Sequence, residues 1–236
     1  MESQSIVITG RKSDIYTNFT PAIKLDTNKF HELALVGLDM YHSIPNIDET
    51  NNKFYVGLYG GEIVIIVPTG CYEIESINKY YKNALGDEDS IDIRANTNTL
   101  KCVITIRDPD LRIYFNKPNS LHTLLGFDDE VLEGVGEHES TNIVNIMSVN
   151  AILVHCSIIN GSYLNGDLYN ILYTFFPNVP PGYKIVENPS QPIYLTVDQP
   201  SIYNIRIWLT DQNKNLLNTR GEEITVRLHL RSKNIK

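Results

Sequence analysis

Ile205-Arg206-Ile207-Trp208-Leu209 and Ile224-Thr225-Val226-Arg227-Leu228-His229-Leu230 both alternate apolar and polar residues, and turn formers crowd the stretch between them. A period of two marks a strand with one buried face, so the region reads as two strands and a polar connection. A competing pattern lies in that connection. Asp211, Asn213 and Asn215, with Glu222 eleven positions after Asp211, reproduce the acidic spacing of an EF-hand calcium loop. Leu216 stands at the sixth position, where the sharp turn of such a loop needs Gly, and the flanks alternate as strands where helices are required. The stretch is β structure joined by turns.

The same pattern repeats in both directions. Towards the N-terminus lie the candidate strands Ile193 to Val197, Lys184 to Val186 and Leu168 to Phe176, with Pro177 to Gly182 excluded from helix and central strand. Val144 to Ile159 is long and apolar and reads as strand up to the Asn160-Gly161 turn. Leu111 to Phe115, and Leu100 to Arg107 hairpinned to Ile91 to Arg94 through Asn96 to Thr99, precede it. Ile63 to Val67 is continuously apolar, as expected of a strand covered on both faces, and follows Phe54, Val56 and Leu58 through Gly60-Gly61. His31 to Tyr41 and Ala22 to Leu25 open the series.

Two short helices interrupt it. Ile74, Ile77, Tyr81 and Ala84 make one apolar stripe within Tyr72 to Leu85, with Glu73 and Glu75 in the first turn and Gly86 to close it. The second opens at Pro118-Asn119-Ser120, presents Leu121, Leu124 and Leu125, and stops at Gly126. The acidic stretch Asp128 to Glu139 reads as a solvated loop. Around ten strands without βαβ alternation predict an all-β, antiparallel sandwich of jelly-roll type with two short helices.

Composition agrees. The 236 residues include 29 Ile, 24 Asn and 14 Tyr against 3 Met, which favours pleated surfaces and tight turns over helices. A chain of this length can form one all-β domain with a core that needs neither disulfide nor metal. The expectation is a single domain over residues 1–236 with loop insertions, a short N-terminal arm over about 1–20 and a basic C-terminal tail over about 231–236. A formal net charge of −8 excludes bulk, sequence-independent binding of nucleic acid. Arg227, Arg231, Lys233 and Lys236 gather positive charge at the end, and contact with nucleic acid through that tail is the minor reading beside simple solubilisation. Cys71, Cys102 and Cys156 are widely spaced and read as buried hydrophobes. The start lacks the features of a secretory signal, and no apolar run reaches the length of a membrane span, so the sequons at Asn18 and Asn160 read as chance matches.

Candidate chemistry is sparse. Walker, GxGxxG, GxSxG and HExxH patterns are missing from the sequence. His155-Cys156 has the residue types of a base and a nucleophile, but neighbours on a strand point to opposite faces. Gly86-Asp87-Glu88-Asp89-Ser90 could attract calcium and reads first as a solvated loop. Tyr80 with Tyr81, Phe175 with Phe176, and Trp208 suit either a sugar- or peptide-binding surface or a core and subunit interface, and the second weighs more. The expectation is no catalytic, cofactor-binding or metal-binding residue, hence no enzyme and no cofactor.

Five segments carry a family resemblance: Ser43 to Phe54 (SIPNIDETNNKF), Pro68 to Ile74 (PTGCYEI), Lys117 to Phe127, Pro180 to Ile185 (PPGYKI) and Arg220 to Leu230 (RGEEITVRLHL). Together they resemble proteins encoded by Polinton/Maverick elements and the related adintoviruses, over most of the chain from about Ile44 to Arg231. That family has a large double-jelly-roll major capsid protein and a smaller single-jelly-roll minor capsid, or penton, protein that forms vertex pentamers. The length fits the minor one. The resemblance therefore implies a structural, homopentameric subunit of an icosahedral virion capsid, made and assembled inside the host cell, that contacts the major protein. The alternative is a host-attachment or carbohydrate-binding β-sandwich module using exposed Tyr and Trp.

Overall fold

A computed structural model describes residues 3–234. Strands β1 (Ser3–Gly10), β2 (Asp14–Lys24) and β3 (Lys29–Tyr41) open the chain. There follow β4 (Lys53–Leu58), β5 (Gly61–Ile66), helix α1 (Ile74–Leu85), β6 (Ile91–Asn96), β7 (Lys101–Ile106), β8 (Arg112–Tyr114), helix α2 (His122–Leu125), β9 (Val131–Glu133) and β10 (Gly136–Ile143). The rest is β11 (Ile152–Cys156), β12 (Ser162–Leu164), β13 (Asp167–Tyr169), β14 (Ile171–Phe175), β15 (Lys184–Glu187), β16 (Leu195–Val197), β17 (Ser201–Thr210) and β18 (Ile224–Asn234). Where about ten strands are expected from the sequence, the described residues form eighteen: β1, β9, β10 and β12 lie where none is expected, and the Leu168 to Phe176 run divides into β13 and β14.

The chain divides into two compact units, one of residues up to Ile44 together with those from Val149 onward, the other Pro45–Ser148. One domain over 1–236 with loop insertions is the sequence expectation; here the insertion has its own core. Each unit closes around a separate hydrophobic cluster. No linker composition marks the junctions, since the chain leaves and re-enters through ordinary loops.

The first unit has two main antiparallel sheets, ordered β1-β18-β3-β15, with β16 also on β3, and β14-β11-β17-β2, and a small β12-β13 hairpin beside them in the chain. β15 and β16 are one broken strand: they pair with the two halves of β3, Leu38 to Tyr41 and His31 to Leu33. Pro189 and Pro192, which have no N–H to give a ladder, lie in the gap. In chain order β1, β2, β3, β11, β14, β15/β16, β17 and β18 then visit the sheets in a double Greek-key sequence. That is an eight-stranded jelly roll. Alternation sends Ile205, Ile207 and Leu209 of β17 and Val226, Leu228 and Leu230 of β18 into one shared core with Ile152, Val154 and Cys156 of β11. Burying each such side chain stabilises the fold by about 1.5–3 kcal/mol.

β3 also shows why its sequence pattern is irregular. Leu33 and Leu35 face the core, and so do Leu38 and Met40, although their parity differs. The register against β18 slips between Arg227 and Leu228, so that Gly37 pairs with Arg227 and Leu35 with Leu228. A bulge at Val36 thus resets the face.

The second unit has sheets β10-β7-β6 and β5-β4-β8-β9. Its core includes Phe54 stacked on Tyr81 at 3.9 Å and Phe115 on Phe127 at 4.9 Å. Ile74, Ile77 and Tyr81 of α1 are buried as the stripe predicts, whereas Ala84 is exposed. Gly86 ends α1 at φ 67° and Gly126 ends α2 at φ 82°, both left-handed.

Four further expectations are corrected. Residues 3–20 are not an arm, since β1 pairs with β18 and β2 with β17, and residues 1–2 lie outside the described residues. The basic end is not a tail over its described part, because Arg231 to Asn234 pair with Lys29 to Glu32 in β18; residues 235–236 lie outside the described residues. The acidic stretch Asp128 to Glu139 is not a loop throughout but holds β9 and the start of β10, where Arg112 pairs with Glu133 across the β8–β9 ladder and Arg94 of β6 reaches Glu137 over the intervening β7. Within Val144 to Ile159 only β11 is strand, the residues before it forming the irregular return from the inserted unit.

Ile63 to Val67 is corrected as well. β5 is an edge strand, with Ile63, Val64 and Ile66 exposed by 45%, 43% and 58%. A short apolar run does not distinguish a covered central strand from an edge.

Gly126 provides a test of the inserted unit. A Cβ there would lie 2.4 Å from the Asn142 carbonyl oxygen and 2.9 Å from that of Ile143, both backbone atoms that cannot swing away. Gly134 also has positive φ but open space around it. Gly126→Ala is expected to destabilise by about 3 kcal/mol or more and Gly134→Ala by about 1–2 kcal/mol, read from urea unfolding followed by circular dichroism. Equal losses would show that backbone conformation alone, and not the close approach, governs both sites.

Candidate functional site

The candidate groups divide between a stacked array on the outer side of the second jelly-roll sheet and several loops. Because Ile205, Ile207 and Leu209 point inward, β17 turns Arg206, Trp208 and Thr210 outward. β11 turns Cys156 into the core and His155 to the same outer side as Trp208, its cross-strand partner. The two side chains of the His155-Cys156 pair therefore diverge, as the strand period requires.

His155 is 2% exposed; its ring stacks on Trp208 with centroids 4.9 Å apart and planes 5° from parallel. Its Nε2 shares a 2.9 Å hydrogen bond with Thr210 Oγ1, and its Nδ1 finds no hydrogen-bond partner among the described residues. Burial pushes the imidazole down to about 4, since the cation would need an acceptor at both nitrogens. Burial likewise pushes the Cys156 thiol up to about 12. At neutral pH the imidazole is an unprotonated packing group and the cysteine an un-ionised thiol, the opposite of an activated pair.

The other side of Trp208 is also covered. The Arg206 guanidinium lies 4.8 Å from its ring centroid and forks onto Asp14 of β2, with Nε to Oδ1 at 2.8 Å and the second bond at 2.7 Å. The Arg206 hydrogen bond holds the Asp14 carboxyl below its usual range. With β17 lying between β11 and β2, Trp208 is flanked on one side by imidazole and on the other by guanidinium. Neither ring face is free to stack on a sugar. The remaining aromatic pairs split in the same way: Tyr81 and Phe175 are core, while Phe176 is 68% exposed.

The calcium-like loops are self-satisfied. Asp211 Oδ1 accepts from the backbone N–H groups of Asn213 and Asn215, each at 2.8 Å, and Oδ2 accepts from the Asn215 amide at 3.1 Å. Asp87 accepts from the backbone of Asp89 and Ser90 and from the Ser90 hydroxyl, whose bond leads the causes lowering its carboxyl. Both are Asx turns. Among the described residues no group of three or more His, Cys, Asp or Glu is placed to hold a metal ion. Cys102 and Cys156 are buried thiols, Cys102 being pushed up to about 12 by burial, whereas Cys71 is only half-buried, against the expectation.

The basic residues of β18 are tied into the outer face of the first sheet. Arg231 and Lys233 both pair with Glu32, at 2.8 and 2.9 Å, and Arg227 pairs with Asp39 at 3.3 Å. Tyr194 lies under the Arg231 guanidinium and bonds His229 Nδ1 at 2.7 Å. Lys236 lies outside the described residues.

The assembled features are those of a rigid β scaffold whose polar side chains serve its own sheets. The fold they define is a single jelly roll carrying a folded insertion between its third and fourth strands. Among solved structures the penton protein of mavirus is similar to it: the match covers 98% of this chain and 100% of that protein, with a TM-score of 0.52 and 11% sequence identity. At that identity the likeness establishes the fold. No protein-family model matches the chain, and no curated protein sequence does. No helix among the described residues is long and apolar enough to cross a membrane.

The buried imidazole predicts an acid response. Its folded pKa lies below the unfolded value near 6.5, so between about 6.5 and 4 protons bind mainly the unfolded chain and stability falls as pH falls. The expected loss across that window is on the order of 2–3 kcal/mol from this one group. In His155→Phe, denaturant midpoints measured over the same window should flatten by that amount; an unchanged slope would assign the acid sensitivity to other groups.

Proposed function

We propose that this chain is a structural capsid subunit of the penton type, a single-jelly-roll protein that forms pentamers at the vertices of an icosahedral virion and has no reaction of its own. One observation carries the reading: the jelly roll and its insertion match a penton protein over nearly the whole length of both chains. Two more support it. Tyr16, Tyr41, Tyr183 and Tyr203 are each at least 45% exposed, and tyrosine is enriched where protein surfaces meet. The polar groups that might have built a site are engaged with their own sheets and loops, which suits a scaffold that repeats one geometry in every copy. Its partners on this reading are further copies of itself and a double-jelly-roll major capsid protein. The proposed origin is a Polinton/Maverick-like or adintovirus-like element, and the proposed location the virion capsid.

The purified full-length chain is expected to form cyclic pentamers, read by light scattering at several salt concentrations and as five-fold particles in negative-stain images. A chain that stays monomeric at every salt concentration and fails to join the major capsid protein would overturn the reading. Sequencing of the genomic neighbourhood should show genes for a double-jelly-roll protein, a packaging ATPase and a protease beside this one.

A further inference from the structure

The turn between β6 and β7 carries a leucine where the backbone favours glycine. Leu100 adopts φ 58°, a left-handed conformation that strains a bulky residue and leaves glycine unstrained. The fold gains little apolar burial in return, because Leu100 is 64% exposed. Ile143, opposite Lys101 at the end of β10, is 61% exposed. The Leu100 carbonyl accepts the Val144 N–H at 2.9 Å, which holds the two exposed side chains on adjoining stretches of backbone. A residue that costs backbone strain and leaves its apolar side chain in water serves something outside the fold.

Leu100 and Ile143 line an apolar groove of about 390 Å³ together with Ile74, Val144 and Ile146. That is the small end of binding clefts, which run from about 300 to 1,000 Å³, and leaves room for a few aliphatic side chains. The charged lining is acidic on balance. Glu73, the N-cap of α1, makes no capping hydrogen bond through its side chain, and neither it nor Glu75 has an ion-pair partner among the described residues. Lys101 is the one cation of the lining. A second, polar groove of about 520 Å³ adjoins the first, with Ala95, Asn96 and Thr97 lining both. There Glu139 accepts the Asn96 amide at 3.0 Å and the Thr99 hydroxyl at 2.9 Å on Oε1 alone, so its other oxygen is open.

The charge of the whole unit points the same way. Residues 45–148 hold 17 Asp and Glu against 8 Lys and Arg, whereas the remainder holds 11 against 12. Such a field repels another copy of the unit and draws cations towards it. An occupant that satisfies both the apolar groove and its acidic surroundings must itself be apolar and basic. We propose that the groove docks a peptide segment of a different protein in which aliphatic residues run into Lys or Arg. The aliphatic side chains fill the space beside Leu100 and Ile143, and the cationic ones meet Glu73, Glu75 and Glu139. The proposal goes beyond the vertex reading and stands without it.

The test titrates fluorescein-tagged hexapeptides with the full-length chain and follows anisotropy at low and at high salt. Leu-Ile-Leu-Lys-Arg-Lys is expected to bind about ten-fold more tightly than Leu-Ile-Leu-Glu-Asp-Glu or Ser-Gln-Ser-Lys-Arg-Lys, and to weaken as salt is raised. Leu100→Gly should weaken that binding about ten-fold while its urea midpoint does not fall, because glycine suits the left-handed turn. Glu73→Gln combined with Glu75→Gln should weaken it about three-fold and flatten the salt dependence. Equal binding of the three peptides, or of none, overturns the proposal, as does preference for the acidic one or full affinity in a folded Leu100→Gly. A particle mass that falls in Leu100→Gly would make a second copy the occupant and overturns it too. If Leu100→Gly fails to fold, Ile143→Ser takes its place in the same titration, with the same loss expected and full affinity again overturning the proposal.

Discussion

The pairing of β18 with β3 is the contact on which the jelly roll depends. It runs from Thr225 opposite Asp39 to Asn234 opposite Lys29, and β18 holds β1 on its other side. The last strand of the chain therefore occupies the interior of the first sheet, as β17 occupies the interior of the second. Neither sheet can close until the C-terminal residues are in place, which makes the core strongly non-local and its closure entropically demanding. The inserted unit has the opposite character, since its sheets and helices come from one continuous stretch of chain.

That closure also explains where the polar residues go. Each jelly-roll sheet has an inner face shared with the other, so charge is confined to the outer faces, where it is spent on cross-strand partners. Arg231 and Lys233 converge on Glu32, whose burial raises its pKa while the hydrogen bonds from Lys233 and Arg231 outweigh that and lower it. Arg206 serves Asp14 and Trp208 at once. Such pairs are partly exposed and individually worth little, about 0–1 kcal/mol, so they fix side-chain geometry more than they stabilise.

Much of this was legible in residue order. Alternation in Ile205–Leu209 and Ile224–Leu230 identified β17 and β18, Gly86 and Gly126 marked both helix ends, and the Asp211 connection read correctly as a turn because Leu216 and its flanks deny an EF-hand. Other features were not legible for identifiable reasons. The bulge at Val36 breaks the period of β3, so no single phase fits it. The acidic residues of β9 and β10 look like loop until Arg112 stands opposite Glu133 and Arg94 reaches over β7 to Glu137. For Trp208 the sequence favours core or interface over a ligand platform without deciding between them, and the flanking His155 and Arg206 decide against the platform.

The sequence by itself determined the class of secondary structure, the turn positions and which residues face inward on most strands, because these depend on neighbours within a few positions. It also marked the Asp211 stretch as turn chemistry, whereas the Asx turn at Asp87, in a stretch that reads from sequence as a solvated loop, came only with the structure. Only the tertiary structure decided that β18 lies between β1 and β3, that residues 45–148 form a second core, and that Ile63 to Ile66 is an edge. Strand order and exposure are set by which distant segments bury the most apolar surface together, a property of pairs of segments that no single stretch contains.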